Sequence, residues 1–202
     1  IPSPTFPYYQ TLADVEGAEI IEVDTDERFN VDFDALAKVQ AAVTFLANPN
    51  NPTGVAATVE QIDALAGQLG GLLIVDEAYC DFTDITALPL VDKHPNLIVT
   101  RTLSKGYSLA SLRLGFAIAQ ESLIASLFKA MEIYNLSTPT IKAGAAAYAD
   151  QDHKNANAAK ILASRNALAT ELASREWDVI PSEANFLLAA PPERNGAAVY
   201  EQ

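Results

Sequence analysis

Hydrophobic and polar positions alternate in two patterns along most of this chain. Short runs of consecutive apolar residues predict buried strands, because a strand that is covered on both faces has no polar side. Between these runs, apolar residues recur every three or four positions, which is typical of amphipathic helices. The patterns predict strands at 18–23, 41–47, 72–75, 97–99 and 112–119, and helices at 8–15, 31–40, 58–69, 121–131, 138–149 and 152–175.

Strands that alternate with helices at this spacing predict βαβ units with right-handed crossovers. The expected fold is therefore α/β, a three-layer α/β/α sandwich around a mostly parallel sheet. A long alanine-rich helix and a strand pair or bent strand at 177–190 follow this pattern. We therefore predict a large domain at 1–150, and at 151–202 a linking helix with the start of a smaller α+β domain. Because residues 197–202 resemble the middle of a helix, we expect a longer protein.

The chain is acidic, with 13 basic and 26 acidic residues and a net charge of −13. This charge argues against nucleic acid or an anionic membrane surface as a partner. No apolar run approaches the roughly 20 residues of a membrane-spanning helix. The single cysteine, Cys80, fits a reducing cytoplasm and is expected to be a small core residue. His94 and His153 have no matching ligand partners, so we expect solvated surface residues and no metal.

The candidate chemistry begins with Lys105, in a polar turn at 102–106 that follows the strand at 97–99. Open α/β sheets bind ligands at the carboxyl ends of their strands. A lysine there can attack a carbonyl if its surroundings lower its pKa, while the Ser104 hydroxyl and the Arg113 guanidinium suit a phosphate. This combination matches the aldehyde and phosphate of pyridoxal phosphate (PLP). The same turn also fits the surface, because most lysines are solvated charges.

Two other predicted strands end in polar residues. Asn51 lies in a loop rich in proline and asparagine, where its amide could bond a ring hydroxyl or a carboxylate of a ligand. Asp76 could hold a proton on a cationic ring nitrogen, and Tyr79 could donate to an anionic ring oxygen. Alternatively, the adjacent acids Asp76 and Glu77 mark the end of a strand that has reached solvent, or a magnesium site. Phe6 could stack on a flat ring or belong to the core.

The ordered set of these segments is similar to the fold-type I PLP-dependent aminotransferases of class I/II, and among them most to the histidinol-phosphate aminotransferases. Order and spacing match from about residue 4 to 190. The segments that carry the resemblance are Pro4–Tyr9, Asn51–Gly54, Asp76–Tyr79, Thr102–Lys105 with Arg113, and Pro181–Phe186.

The resemblance implies a role for each residue. Lys105 would bond to the aldehyde of PLP and later move a proton between the substrate and the cofactor. Asp76 would pair with the pyridinium nitrogen, which keeps the ring an electron sink. The other contacts that it implies are stacking by Phe6, ring-oxygen bonds from Asn51 and Tyr79, phosphate bonds from Thr102, Ser104 and Arg113, and substrate contacts from Asn51, Tyr134 and Asn135.

The chain also departs from the family pattern. Ile133 stands where the family has proline in a Pro-Tyr-Asn segment. Three further parts of the family site have no counterpart here: a glycine-rich phosphate segment, a tyrosine from the partner subunit and an arginine for the substrate carboxylate. The resemblance implies a homodimer. Because these three parts are absent, we expect the 202 residues alone to be inactive.

The resemblance implies amino transfer from histidinol phosphate, the amino donor, to the 2-oxo acid 2-oxoglutarate, in histidine biosynthesis. Other PLP chemistries stay open, namely an aromatic aminotransferase or a threonine-phosphate decarboxylase. A non-catalytic sensor domain of this fold is a further alternative, because a sensor needs the same contacts with its ligand.

Overall fold

The computed structural model describes residues 1–201, which form an α/β fold. Most predicted elements are present, with boundaries that differ by a few residues. Three short 3-10 turns, at Cys80–Phe82, Leu88–Leu90 and Ala110–Leu112, join them. In chain order the elements are β1 (Pro2–Ser3), α1 (Tyr8–Glu16), β2 (Val23–Asp24), α2 (Phe33–Val39), β3 (Val43–Ala47), α3 (Val59–Gln68), β4 (Leu72–Asp76), β5 (Leu97–Thr102), β6 (Gly115–Ala119), α4 (Glu121–Ala130), α5 (Thr138–Ala149), α6 (Gln151–Ser174), β7 (Asp178–Ile180), β8 (Leu188–Ala190) and α7 (Gly196–Tyr200).

The main sheet has four strands in the order β3-β4-β5-β6. The first three are parallel, and β6 is antiparallel to β5. This confirms the predicted α/β class with a mostly parallel sheet. Asp76 is in register with Ala47 on one side and with Thr100 on the other. The carboxyl ends of three neighbouring strands therefore meet at one edge of the sheet.

The hydrophobic core lies between one face of this sheet and the helices α2 and α3. Val75 is fully buried and lies in register with Leu46 and Val99, so these side chains form one apolar row. Leu36 of α2 and Ile62 of α3 pack against that row. Burial of side chains of this size stabilises a fold by about 1.5–3 kcal/mol each.

The other face of the sheet carries α1. Side chains alternate between the faces of a strand, so Phe45 points away from the core row that contains Leu46. The ring of Tyr9 stacks on Phe45 with a centroid separation of 4.8 Å. Helices thus cover both faces, as the predicted three-layer sandwich requires.

Several predicted boundaries are wrong. The strand predicted at 18–23 is reduced to β2, which pairs with β1 in a stretch predicted as a loop. Val23 donates its amide to the carbonyl of Ile1, and this pairing partner could not be read from local periodicity. β6 begins at Gly115 because Arg113 has a left-handed backbone with φ of 51°.

The predicted exposure of His94 is also wrong. His94 is buried and not solvated, since its ring pairs with Asp63 at 2.5 Å.

The last part of the chain consists of α6, an antiparallel pair formed by β7 and β8, and the short helix α7. Ala158 and Leu162 of α6 pack near Tyr79 and Phe82. The domain boundary near residue 150 stays a prediction. The end of the helix predicted at 197–202 lies in part outside the described residues. Within residues 1–201, no helix is long and apolar enough to cross a membrane.

A buried ion pair fixes the end of β4. Glu77 is fully buried and accepts hydrogen bonds from Arg101 at 2.9 and 2.7 Å. The Thr86 hydroxyl at 2.9 Å and the Ala87 amide at 2.6 Å also donate to it. A buried carboxylate is tolerated only when it is fully paired in this way.

We predict that Glu77→Ala lowers the free energy of unfolding by about 3–5 kcal/mol, because it leaves the charge of Arg101 without its buried partner. The matched control is Glu171→Ala, which breaks the exposed pair with Arg175 and should cost less than about 1 kcal/mol. Urea unfolding of both variants measures the difference. Equal losses in the two variants would contradict a structural role for the Glu77 pair.

Candidate functional site

The candidate site is a cavity at the carboxyl ends of β3, β4 and β5. Five of the residues singled out from the sequence line it together. Tyr9, Ala47, Pro49 and Ala78 complete its wall. The five predicted residues in this wall are Phe6, Asn51, Asp76, Tyr79 and Lys105.

The carboxylate of Asp76 is half-buried in this cavity and held by two donors. The hydroxyl of Tyr9 donates to Oδ2 at 2.8 Å, and the amide of Ala78 donates to Oδ1 at 3.1 Å. Burial, and then the negative charge of Asp76, raise the pKa of Tyr9 far above its ordinary value. Tyr9 therefore remains a donor. None of the salt bridges within residues 1–201 involves Asp76, so its carboxylate can accept a bond from a cationic ligand group.

Tyr79 separates Asn51 from the lysine. The Asn51 amide donates to the Tyr79 hydroxyl at 3.2 Å. The Nζ of Lys105 lies 5.2 Å from the centre of the Tyr79 ring, a cation–π distance. Phe186 packs edge-on against the same ring at 5.1 Å, which holds it in place. Lys105 itself is exposed, so its amine is accessible from solvent.

The loop that carries Asn51 is fixed by its other asparagines. Asn48 is buried and exchanges two hydrogen bonds with the backbone of Ala57, at 2.6 and 3.2 Å. Asn50 accepts from the Thr5 hydroxyl at 2.7 Å and donates to the carbonyl of Pro4 at 3.0 Å. These bonds tie the stretch around Phe6 to the loop after β3. The sequence alone predicts no role for Asn48 or Asn50, although their place beside Pro49 indicates a turn.

The segment 181–186 closes over the same loop. The amide of Glu183 donates to the carbonyl of Gly54 at 2.8 Å, and Ser182 packs directly against Gly54. Gly54 has φ of 76°, and a Cβ there would overlap the side chain of Ser182. The Arg165 guanidinium of α6 donates to the carbonyl of Ala184 at 2.6 Å. A segment far along the chain thus supports the loop of Asn51.

The three predicted phosphate ligands, Thr102, Ser104 and Arg113, are not among the residues of the cavity wall. The Thr102 hydroxyl donates to the Ser104 hydroxyl at 2.9 Å and accepts from the Ser104 amide at 3.1 Å. Arg113 is exposed, and its guanidinium donates to the carbonyl of Ala110 at 3.0 Å. The geometry leaves most donors of Arg113 available for a ligand, since a guanidinium carries five.

Tyr134 and Asn135 do not reach the cavity wall in this structure. Tyr134 is 94% exposed, and the amide of Asn135 donates to the Sδ of Met131 at 3.1 Å. Their assignment to the substrate stays a prediction. Tyr9, by contrast, was not singled out from the sequence and lies in the site. The available signal is its place in the same aromatic segment as Phe6, near the start of the helix predicted at 8–15.

The helix α6 supports the lysine loop from behind. Lys154 pairs with Asp81 at 3.0 Å, and both side chains are largely buried. Asp81 in turn packs on Gly106, where a Cβ would overlap its carboxylate. Gln151 donates to the Tyr107 hydroxyl at 2.9 Å. The packing of Asp81 explains why residue 106, directly after Lys105, is a glycine.

The fold and the site define an α/β protein whose ligand cavity joins a lysine, a carboxylate and a tyrosine at neighbouring strand ends. The family model for aminotransferase class I and II matches residues 1–199. The chain belongs to this family.

Curated relatives and solved structures agree with this assignment. The chain is 43% identical over its whole length to histidinol-phosphate aminotransferase 1 of Nostoc sp., and 44% identical over 98% of its length to histidinol-phosphate aminotransferase of Syntrophotalea carbinolica. It spans 57% of each relative. A crystal structure of histidinol-phosphate aminotransferase from Sinorhizobium meliloti, in complex with pyridoxal-5'-phosphate, superposes with a TM-score of 0.88 at 27% identity. That alignment covers 96% of this chain and 55% of the other.

Cys80 adjoins the site and is expected to be chemically inert in the folded protein. Burial raises the pKa of its thiol to about 12, against a smaller opposite effect of the Arg101 charge. At pH 8 about one thiol in 10⁴ is then ionised, and only the thiolate is a strong nucleophile. We predict slow alkylation by iodoacetamide at pH 8 in the native protein and rapid alkylation in urea, as measured by mass spectrometry. Rapid native labelling at pH 8 would contradict this environment.

Proposed function

We propose that the protein containing this chain is a PLP-dependent aminotransferase that transfers the amino group of histidinol phosphate to 2-oxoglutarate. One observation carries the proposal: Lys105 and Asp76 face a single cavity from the ends of adjacent strands, in a chain that is 43% identical to a histidinol-phosphate aminotransferase. The cofactor supplies an electron sink for carbanion chemistry, and the protein supplies position and polarity.

The donor set in the cavity fits this cofactor. An amine suits its aldehyde. The Asp76 carboxylate, which forms no salt bridge within residues 1–201, suits its ring nitrogen. Asp76 would accept a hydrogen bond from that nitrogen while Tyr9 and Ala78 hold its two oxygens. Tyr79 and Asn51 would bond the ring oxygen, because both line the cavity and carry hydrogen-bond donors.

The remaining residues that would contact the cofactor are assigned by the same chemistry. The hydroxyls of Thr102 and Ser104 and the guanidinium of Arg113 would bind the phosphate, which accepts several charge-assisted bonds. Phe6 is 38% exposed at the cavity mouth, where its ring could stack on a planar ligand.

Lys105 would act as the base of the reaction. Its amine would take the proton from the substrate Cα, because Lys105 lines the cavity and is accessible from solvent. Asn51 would contact the substrate from the loop after β3. The family resemblance assigns Tyr134 and Asn135 to the substrate as well.

We further propose that the protein is a cytoplasmic homodimer, with a PLP-binding large domain at 1–150 and the start of a small domain at 151–202. The family resemblance supports the dimer. The single Cys80 supports a reducing compartment. The separate β7–β8 pair after α6 supports the second domain.

We predict that borohydride fixes PLP covalently onto the intact protein at Lys105. Lys105→Ala should lose all fixed cofactor, because the reducible link needs its amine. Lys129→Ala, in the last turn of α4, is the matched control and should retain it. Mass spectrometry of tryptic peptides locates the adduct. Equal labelling of Lys105→Ala and the wild type would refute the assignment.

We predict glutamate formation when the intact protein is given histidinol phosphate and 2-oxoglutarate, and none when the 202-residue chain is tested alone. The reason is that the resemblance places further phosphate and carboxylate ligands outside these residues. The assay measures glutamate, with phenylalanine and threonine phosphate as competing donors. PLP fixed on Lys105 without any amino transfer would favour the sensor alternative. Turnover by the isolated chain would refute the predicted dependence on outside ligands.

A further inference from the structure

We propose that Tyr9 is a positioning residue that fixes the carboxylate of Asp76 for the cofactor ring nitrogen. This inference rests on the proposed function, because it assigns Asp76 to that nitrogen. Tyr9 acts through Asp76, so it is distinct from the residues assigned above to the cofactor itself.

The ring of Tyr9 is held rigidly. It stacks on Phe45 at 4.8 Å with an interplanar angle of 24°, and Phe6 packs edge-on against it at 5.7 Å. Tyr9 is only 6% exposed. Phe45 lies on the same face of β3 as Ala47, which is the register partner of Asp76. The stacked ring therefore points its hydroxyl along the sheet toward the end of β4.

That hydroxyl is the one side-chain donor to Asp76 within the described part of the chain. It bonds Oδ2 at 2.8 Å, and the second donor is the backbone amide of Ala78 on Oδ1. Two donors on different oxygens fix both the rotamer and the plane of the carboxylate. A ligand nitrogen then meets an acceptor whose orientation is already set, so less ordering is required on binding.

Tyr9 keeps its phenol proton, and so remains a hydrogen-bond donor to Asp76, throughout the ordinary pH range. The groups that face the carboxylate are Tyr9 from α1, Tyr79 from the turn after β4 and Lys105 from the loop after β5. Burial and the charge of Asp76 raise the pKa of Tyr9 well above its ordinary value, so the phenol keeps its proton. Among the described residues, no other carboxylate lines the cavity.

The first test removes the hydroxyl and keeps the ring. Tyr9→Phe in the intact protein should weaken PLP binding roughly tenfold, which corresponds to one hydrogen bond to a charged group. Tyr8→Phe is the matched control, since Tyr8 lies on the same helix and is 53% exposed. Its PLP affinity should equal the wild type. Unchanged affinity in Tyr9→Phe would overturn the proposal.

A double-mutant cycle separates positioning from a general structural effect. Asp76→Asn should weaken PLP binding by itself, and Tyr9→Phe should add little to it, because the two residues act as one unit. Additive losses would mean that Tyr9 does not act through Asp76, and would overturn the inference.

The same cycle on the protein without PLP keeps the two proposals distinguishable. Urea unfolding of the single and double variants should show a coupling of roughly fivefold or more in the unfolding equilibrium constant. This readout needs no cofactor. If borohydride fixes no PLP on wild-type Lys105 while the coupling is present, the proposed function fails and the Tyr9–Asp76 link stands. If PLP is fixed and the coupling is absent, the inference fails alone.

Discussion

The buried pair of Glu77 and Arg101 is the interaction on which the site depends. Glu77 has no access to solvent, and Arg101 of β5 satisfies its carboxylate together with Thr86 and Ala87. Because side chains alternate along a strand, a Glu77 directed into the protein directs its neighbour Asp76 to the opposite face. One buried ion pair thereby presents a second carboxylate to the cavity.

The site is then completed by elements that are distant in the chain. α1 brings the Tyr9 hydroxyl onto Asp76, and α6 brings Lys154 onto Asp81 behind the lysine loop. The segment 181–186 packs on Gly54 of the loop that carries Asn51. Each loop is thus held by a helix or segment that does not itself carry the chemistry. This arrangement gives short loops the precision that a binding site needs.

Part of this was predictable from sequence because it depends on local patterns. Apolar runs located β3, β4 and β5, and polar residues directly after them located Asp76 and Lys105. Pairing between distant segments was not predictable, because periodicity does not say which strand or ring is the neighbour. For this reason β1–β2, the burial of His94 and the contact of Tyr9 with Asp76 emerged only from the structure. A tyrosine has the same neighbours in the sequence whether its hydroxyl contacts solvent or a buried carboxylate.

The charges in the cavity bear on how an acidic protein would hold the proposed anionic cofactor. Within residues 1–201, neither Asp76 nor Lys105 takes part in a salt bridge, and the Tyr79 ring lies under the lysine. A cation and an anion that face one cavity without pairing are both available to a ligand that carries charges of both signs. Direct pairing of Lys105 with Asp76 would neutralise both groups. Under the proposed function, local placement of opposite charges would therefore outweigh the net charge of −13 in selecting the ligand.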